Sequence, residues 1–83
     1  MRREEFIKAI SQRLKLIRTE YGITQEVMSD VLGISKKTLV ETEKGRRELA
    51  WTEAIAVATV FEKSEVLQQI LGGDAGDIIR ALA

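Results

Sequence analysis

Residues 24–45 read TQEVMSDVLGISKKTLVETEKG, and this stretch decides the fold. It holds two short segments, and only Gly33 and Ile34 separate them. Thr24 and Ser35 each precede one segment, and both residue types begin helices by accepting a backbone N–H from the first turn. Glycine permits a sharp turn between the segments. Because so short a link keeps two helices from lying antiparallel, the stretch predicts a helix-turn-helix centred on Gly33.

Apolar side chains at helical spacing define a helix before this unit and a stripe within it. Helix one is expected from about Glu4 to Tyr21, before Gly22. Its apolar stripe is Phe6, Ile10, Leu14, Ile17 and Tyr21. The stripe of helix two is Val27, Met28, Val31 and Leu32. Helix three is expected from Lys36 to Lys44, because Gly45 provides a favourable helix end.

Further apolar segments follow, so the chain is predicted to be all-α. Helix four is expected over residues 51–61, and Ser64 is expected to begin helix five. Helix four should bury Ile55, Val57, Ala58, Val60 and Phe61. Helix five contributes Val66, Leu67, Ile70 and Leu71, and Gly72 and Gly73 end it. Residues 74–83 either add a short sixth helix or fray. We expect a compact five-helix bundle, with this sixth helix as an optional addition.

The composition restricts the chemistry open to the chain. It has 83 residues, 45% of them hydrophobic, which suits one domain with a packed core. Cysteine and histidine are absent, which excludes disulfides, zinc sites built on them and catalysis by them. No glycine-rich phosphate loop or paired carboxylates favour an enzyme, and no cofactor or metal is expected. The longest apolar run, residues 54–61, is too short to span a bilayer, so we expect a cytoplasmic protein.

The charge is divided along the sequence, although the formal total is zero. Residues 1–47 hold 11 Lys and Arg against 7 Asp and Glu, a net charge of +4. Residues 48–83 hold 2 against 6, a net charge of −4. A basic half suits a polyanion such as nucleic acid, whereas solvated surface charge without a partner is the alternative interpretation.

Helix three is predicted to turn a basic face outward. At about 100° per residue, five residues share one side of the helix: Lys36, Lys37, Val40, Glu41 and Lys44. Leu39 and Thr42 lie on the other side, where Leu39 is expected to be buried. In the major groove, lysine donates to guanine, glutamate accepts from cytosine, and a small apolar side chain touches the thymine methyl. Lys36, Lys37, Val40 and Glu41 are therefore candidate base readers, with a merely solvated helix surface as the alternative.

Three other residues are candidates for contact with phosphate groups. Gln25 opens helix two, where the positive end of the helix dipole favours an anion. Arg46 and Arg47 follow helix three and can neutralise phosphates without reading the base sequence. The alternatives are an ordinary helix-forming residue at position 25 and a solvated loop at positions 46–47.

Residues 10–48, ISQRLKLIRTEYGITQEVMSDVLGISKKTLVETEKGRRE, resemble the phage-repressor and Cro-like helix-turn-helix family, also called the XRE family. The matching motifs are RLKLIR at 13–18, GITQ at 22–25, LGIS at 32–35 and EKGRR at 43–47. A weaker resemblance extends through helix five to Gly72. It implies a lambda-repressor-like DNA-binding domain over residues 1–72, followed by a short extension over 73–83 that is helical or dimerising.

The resemblance also implies roles for individual residues. Gln25 corresponds to the family's phosphate-binding glutamine. Arg18 and Glu43 correspond to a structural salt bridge between helices one and three. Together with helical geometry, the resemblance indicates these candidate DNA contacts: Gln25, Ser35, Lys36, Lys37, Thr38, Val40, Glu41, Lys44, Arg46 and Arg47.

Two departures from the family pattern concern packing and capping. Thr42 stands where a large apolar or aromatic residue is usual, so thinner packing is expected beneath helix three. Leu49 and Ala50 replace a frequent Pro-Ser pair before helix four, and Thr52 is therefore expected to cap that helix.

The resemblance implies a sequence-specific transcriptional regulator. The expected form is a repressor that binds a pseudo-palindromic operator in double-stranded DNA as a homodimer, paired through helix five and residues 73–83. The alternative is an antitoxin or adaptor whose acidic half, residues 48–83, binds a toxin or another protein. Paired half-sites in bound DNA would favour the first function, and a co-purifying protein would favour the second.

Overall fold

The computed structural model describes residues 1–83 and contains six helices and no strand. The helices are α1 (Arg3–Glu20), α2 (Gln25–Leu32), α3 (Lys36–Glu43), α4 (Trp51–Val60), α5 (Glu65–Leu71) and α6 (Ala75–Leu82). The all-α prediction is confirmed, and the short sixth helix is formed. None of the helices has both the length and the apolar character needed to cross a membrane.

Side-chain caps begin three of the helices at the predicted residues. Thr24, Ser35 and Ser64 each accept the backbone N–H three residues later, at 3.0 to 3.1 Å. Asp74 begins α6 in the same way at 2.9 Å, which explains why a helix forms over Ala75–Leu82. Each cap joins close neighbours in the chain, so a local sequence pattern is enough to predict it.

The turn between α2 and α3 depends on Gly33. Its φ of 69° lies in the left-handed region, which a side chain would strain. The Ile34 N–H donates to the Ser29 carbonyl at 3.0 Å, and the Gly33 N–H donates to the Asp30 carbonyl at 3.2 Å. These two bonds form the Schellman arrangement that ends a helix and redirects the chain. The glycine therefore sets the direction in which α3 leaves α2.

The start of α4 differs from the prediction. Thr52 is exposed inside the helix, and the residue at the cap position is Ala50. The Ala50 N–H donates to the Glu53 carboxylate at 2.9 Å. A glutamate at the third helical position can satisfy the first N–H in this way even when the cap residue has no hydroxyl. The prediction that Thr52 caps α4 is therefore wrong.

The central element of the core is α1, which packs against α3, α4 and α5. Its stripe of Phe6, Ile10, Leu14 and Ile17 is fully buried, as predicted. The other buried hydrophobic residues are Met28, Leu32, Leu39, Leu49, Ala54, Val57, Ala58, Phe61, Leu67 and Ala75. Tyr21 departs from the predicted stripe because it is 41% exposed, although its ring meets that of Phe61 edge-on at 4.8 Å.

Three valines assigned to apolar stripes lie outside the core. Val60 is 55% exposed, so the prediction that α4 buries it is wrong. The buried face of α4 is centred between Ala54 and Phe61, and Val60 lies roughly 110° round the helix from that line. Val27 and Val31 are also exposed, because α2 buries Met28, Ser29 and Leu32 instead. The spacing of the apolar residues predicted both helices correctly, but it predicted a wider buried face on each than the structure has.

Candidate nucleic-acid interface

The inner face of α3 is held in the core. Leu39 is fully buried, and Thr42 is 2% exposed. The Thr42 hydroxyl donates to the Thr38 carbonyl at 2.9 Å and accepts from the Arg47 Nη1 at 3.0 Å. A polar residue fits beneath α3 because both its donor and its acceptor capacity are used. One side of α3 is thereby fixed to the core, and the other side faces solvent.

The outer face of α3 carries the five residues that helical geometry put there. Lys36, Lys37 and Lys44 are exposed, and Val40 and Glu41 are partly exposed. Lys36 Nζ lies 3.3 Å from Glu26 Oε1, whereas Lys37 and Lys44 take part in no ion pair. An exposed pair of this kind contributes at most about 1 kcal/mol, so Lys36 can exchange its partner for a phosphate or a base at little cost.

Glu43 joins three helices at the edge of this face. Its carboxylate accepts from Arg18 Nε at 2.7 Å and from Arg18 Nη2 at 3.1 Å. The Gln25 side-chain amide also donates to Glu43, at 3.1 Å. Arg18 completes the group by donating to the Ile23 carbonyl at 3.0 Å. An amide nitrogen carries two N–H groups, so one side-chain N–H of Gln25 is still available to an anion.

Both charges of this pair are stabilised at neutral pH. The Arg18 and Glu43 side chains are only 12% and 5% exposed. Burial by itself would raise the pKa of Glu43, but the hydrogen bonds from Arg18 and Gln25, with the charges of Arg18 and Lys15, outweigh it and lower that pKa. The hydrogen bond to Glu43 likewise raises the pKa of Arg18. An ionised bidentate pair therefore fixes α3 against α1.

Acid is expected to weaken this link. The pKa of Glu43 is lower in the folded chain than its ordinary value of 4.5, so its ionised form stabilises the fold above that value. This stabilisation is lost as the pH falls through the lowered pKa.

Glu43→Gln should be less stable than the wild type at neutral pH, and the difference should shrink below about pH 4.5. Urea denaturation across this range measures it, with Glu48→Gln as the control because Glu48 forms no ion pair. A difference that stays constant with pH would contradict the expectation.

Comparison with known proteins identifies the unit that these contacts support. Residues 14–68 match the helix-turn-helix family. The chain belongs to that family. The match includes all of α2, α3 and α4 and ends within α5, before α6. The resemblance to XRE-type proteins is therefore confirmed.

A relative from Archaeoglobus fulgidus bears the name uncharacterized HTH-type transcriptional regulator. It is 35% identical over 49 residues, which cover 59% of this chain and 70% of the relative. No solved structure matches the chain.

The two arginines after α3 differ in this helix-turn-helix protein. Arg46 is mostly exposed, and its Nη1 lies 3.4 Å from Glu41 Oε1. Arg47 is bonded on both sides, to the Thr42 hydroxyl at 3.0 Å and to Glu53 Oε1 at 3.2 Å. Arg47 therefore connects the end of α3 to the start of α4, and Glu53 already balances its charge. Any phosphate contact by Arg47 would add to this structural role.

Ser35 and Thr38 form the N-terminal end of α3. The Ser35 hydroxyl accepts the Thr38 N–H at 3.0 Å and donates to Thr38 Oγ1 at 2.9 Å. Both side chains therefore take part in beginning the helix. The Thr38 hydroxyl still has its own hydrogen to donate, so a phosphate oxygen could accept from it.

Two polar side chains of α1, Ser11 and Glu20, attach distant segments to this helix, and sequence reasoning missed both. The buried Ser11 hydroxyl accepts the Leu49 N–H at 2.9 Å and fixes the segment after α3 to α1. Glu20 accepts from the Ser64 hydroxyl and, at 2.8 Å, from the Glu65 N–H. The hydrogen bond from Ser64 is the main cause of the lowered pKa of Glu20. These contacts join residues 38 to 45 positions apart, so no local pattern indicates them.

Proposed function

We propose that this chain binds double-stranded DNA in a sequence-specific manner and regulates transcription, with α3 lying in the major groove. The observation that carries the proposal is the division of α3 into two faces. Leu39 and Thr42 hold one face in the core, while Lys37 and Lys44 stand unpaired on the other. A helix fits the width of the major groove, and lysines there can meet both bases and phosphates. Family membership and the name of the Archaeoglobus relative support this function.

The residues divide into base readers and phosphate ligands. Lys36 and Lys37 are proposed to donate to guanine, Val40 to contact a thymine methyl, and Glu41 to accept from cytosine. The proposed phosphate ligands and turn contacts are Gln25, Ser35, Thr38, Lys44, Arg46 and Arg47. Phosphate contacts set affinity and register, whereas base contacts set sequence preference. Glu41 must exchange its loose contact with Arg46 for a base, which suits its partial exposure.

Selection of bound sequences from a random duplex pool tests this proposal most directly. We expect one consensus to be enriched at a stated salt concentration, because phosphate affinity depends on ionic strength. Binding without any enriched sequence would contradict sequence-specific recognition. Failure to bind any duplex at low salt would contradict DNA binding itself.

Lys37→Ala is expected to relax the preference at a single base pair. The loss should be about 1 to 3 kcal/mol on the consensus duplex and much less on unrelated duplexes. Lys44→Ala is the matched control, because Lys44 is also unpaired but is proposed to contact a phosphate. That variant should weaken binding to all duplexes by the same factor. Titrations of both variants on both duplexes measure the difference, and equal losses for Lys37→Ala on the two duplexes would argue against base reading. Arg47 is unsuitable as the control because it also connects α3 to α4.

The proposed assembly is a homodimer paired through α5 and α6, acting as a repressor. Its support is the partial exposure of Ile70, Ile78 and Ile79, apolar residues on these two packed helices. A two-fold dimer would present its α3 helices to half-sites about 34 Å apart. Sedimentation and footprinting test this arrangement, and one asymmetric site bound by a monomer would contradict it. Loss of the gene should raise transcription from the bound promoter if the protein is a repressor.

The acidic half of the chain favours a second candidate function. Residues 48–83 carry a net charge of −4 and include α4, α5 and α6. Such a surface suits a basic protein partner, such as the toxin of an antitoxin pair. A stoichiometric partner that co-purifies from the native host, and that still binds the Lys37→Ala variant, would support this role.

A further inference from the structure

The unpaired cations of the basic half are not confined to α3. Lys8 and Lys15 on α1 are exposed, and neither takes part in an ion pair. With Gln12, they are spaced i, i+4 and i+7, which places the three side chains in one row along the helix. This row, called here the α1 row, lies on the side of α1 opposite the buried stripe. Neither packing in the core nor an ion pair explains the two positive charges of the α1 row.

The α1 row lies beside the C-terminal end of α3. Lys8 and Gln12 line a polar groove of about 420 Å³ together with Lys44 and Arg47. Lys15 lies near enough to Glu43 for its charge to act on that carboxylate. The Ser11 hydroxyl accepts the Leu49 N–H, and this bond holds α1 against the segment that follows α3. The α1 row and the outer face of α3 therefore belong to one continuous surface.

The carboxylates near this surface do not cancel its charge. Glu43 already accepts from Arg18 and Gln25. Glu48 borders the groove and is exposed, and Glu4 precedes Lys8 by one helical turn. Lys8 and Lys44 line the groove, Lys15 lies near Glu43, and none of these three lysines takes part in an ion pair. Gln25, at the start of α2, also contacts Glu43. Hydrogen-bond donors therefore extend from Gln25 to the α1 row.

We propose that Lys8, Gln12 and Lys15 bind the phosphate backbone of the DNA whose major groove receives α3. This inference rests on the proposed function and adds α1 as a further binding element. Lys8 and Lys15 are about 10 Å apart along the helix axis, which leaves room for a separate phosphate at each. Gln12 lies between them and donates its amide to the same strand. The α1 row holds the duplex without reading its sequence, so it sets the orientation in which α3 meets the bases.

The double variant Lys8→Ala with Lys15→Ala tests the α1 row. Fluorescence anisotropy with a mixed-sequence duplex, repeated over a series of salt concentrations, measures how steeply affinity falls with salt. Each phosphate contact contributes about 0.9 to that slope, so the double variant should lower it by nearly 2. Affinity for the selected and the mixed duplex should fall by the same factor. Lys8→Arg with Lys15→Arg should retain the wild-type slope, because the charges remain.

The matched control is Arg13→Ala with Lys63→Ala, which removes the same charge from two other exposed, unpaired cations. Arg13 lies on α1 itself, roughly 160° from Ser11 and thus on the flank away from α3. This control should leave the slope near that of the wild type. An unchanged slope in the Lys8 and Lys15 variant, or an equal reduction in the control, would overturn the inference while the wild type still binds DNA. If the wild type binds neither duplex, the proposed function fails, and the inference fails with it.

Discussion

Replacing Arg18 with methionine is expected to lower the free energy of unfolding by about 3 to 5 kcal/mol. The variant would leave the Glu43 carboxylate, only 5% exposed, with the Gln25 amide as its sole remaining hydrogen-bond partner. A buried charge without its counter-charge has lost its hydration, and no interaction of similar strength replaces it. Methionine retains much of the apolar volume, so most of the loss reflects the broken pair. Urea denaturation of the wild type and the variant at pH 7 measures it.

The double variant Arg18→Met with Glu43→Leu provides the control. It removes both charges, so no unpaired ion remains buried, and replacing a whole buried pair with apolar residues is often close to neutral. We therefore expect the double variant to be more stable than Arg18→Met alone. A loss below about 1 kcal/mol in Arg18→Met would mean that the pair behaves like an exposed one and does not fix α3.

Leu39→Ala is expected to lower the free energy of unfolding by about 2 to 5 kcal/mol. Leu39 is fully buried and lies on the inner face of α3, against the core that α1 dominates. Truncation removes apolar contacts and leaves a cavity that the short helices around it can fill only in part. Because α3 is only eight residues long, few other side chains anchor it. The variant should therefore also lose DNA affinity, since α3 is held less firmly in the orientation that the major groove requires.

Val40→Ala is the matched control on the same helix. Val40 is the next residue and is partly exposed on the outer face, so its truncation should cost about 1 kcal/mol or less. Its effect on DNA should instead appear as a weaker preference at one base pair, because the proposed thymine contact is lost. Thermal unfolding and duplex titration of both variants separate the two faces. Equal losses of stability would contradict the division of α3 into an anchored face and a reading face.

These two predictions concern the same structural requirement. The Arg18–Glu43 pair and Leu39 attach α3 to the rest of the bundle from two directions, and none of these three residues is proposed to touch DNA. Gln25 connects the two functions, because its amide donates to Glu43 and is also the proposed phosphate ligand. Changes in the Arg18–Glu43 pair should therefore alter DNA affinity through the orientation of Gln25 as well as through stability.

The sequence by itself determined the helices, the turn and the two faces of α3. Thr24, Ser35 and Ser64 begin helices through bonds that span three residues, and Gly33 supplies a backbone conformation that other residues resist. The outer and inner sides of α3 follow from helical periodicity alone. Such features depend on near neighbours in the chain, so residue type and spacing are enough to predict them.

The tertiary structure alone decided which charged residues are available for binding. Arg46 and Arg47 look alike in sequence, yet Arg47 is bonded to Thr42 and Glu53 while Arg46 is mostly exposed. Lys8 and Lys15 look like ordinary surface lysines until α1 is packed beside the end of α3. The exposed Val60 shows the same limit for apolar residues. Pairing, burial and adjacency depend on which elements meet in space, and helical periodicity within one segment does not contain that information.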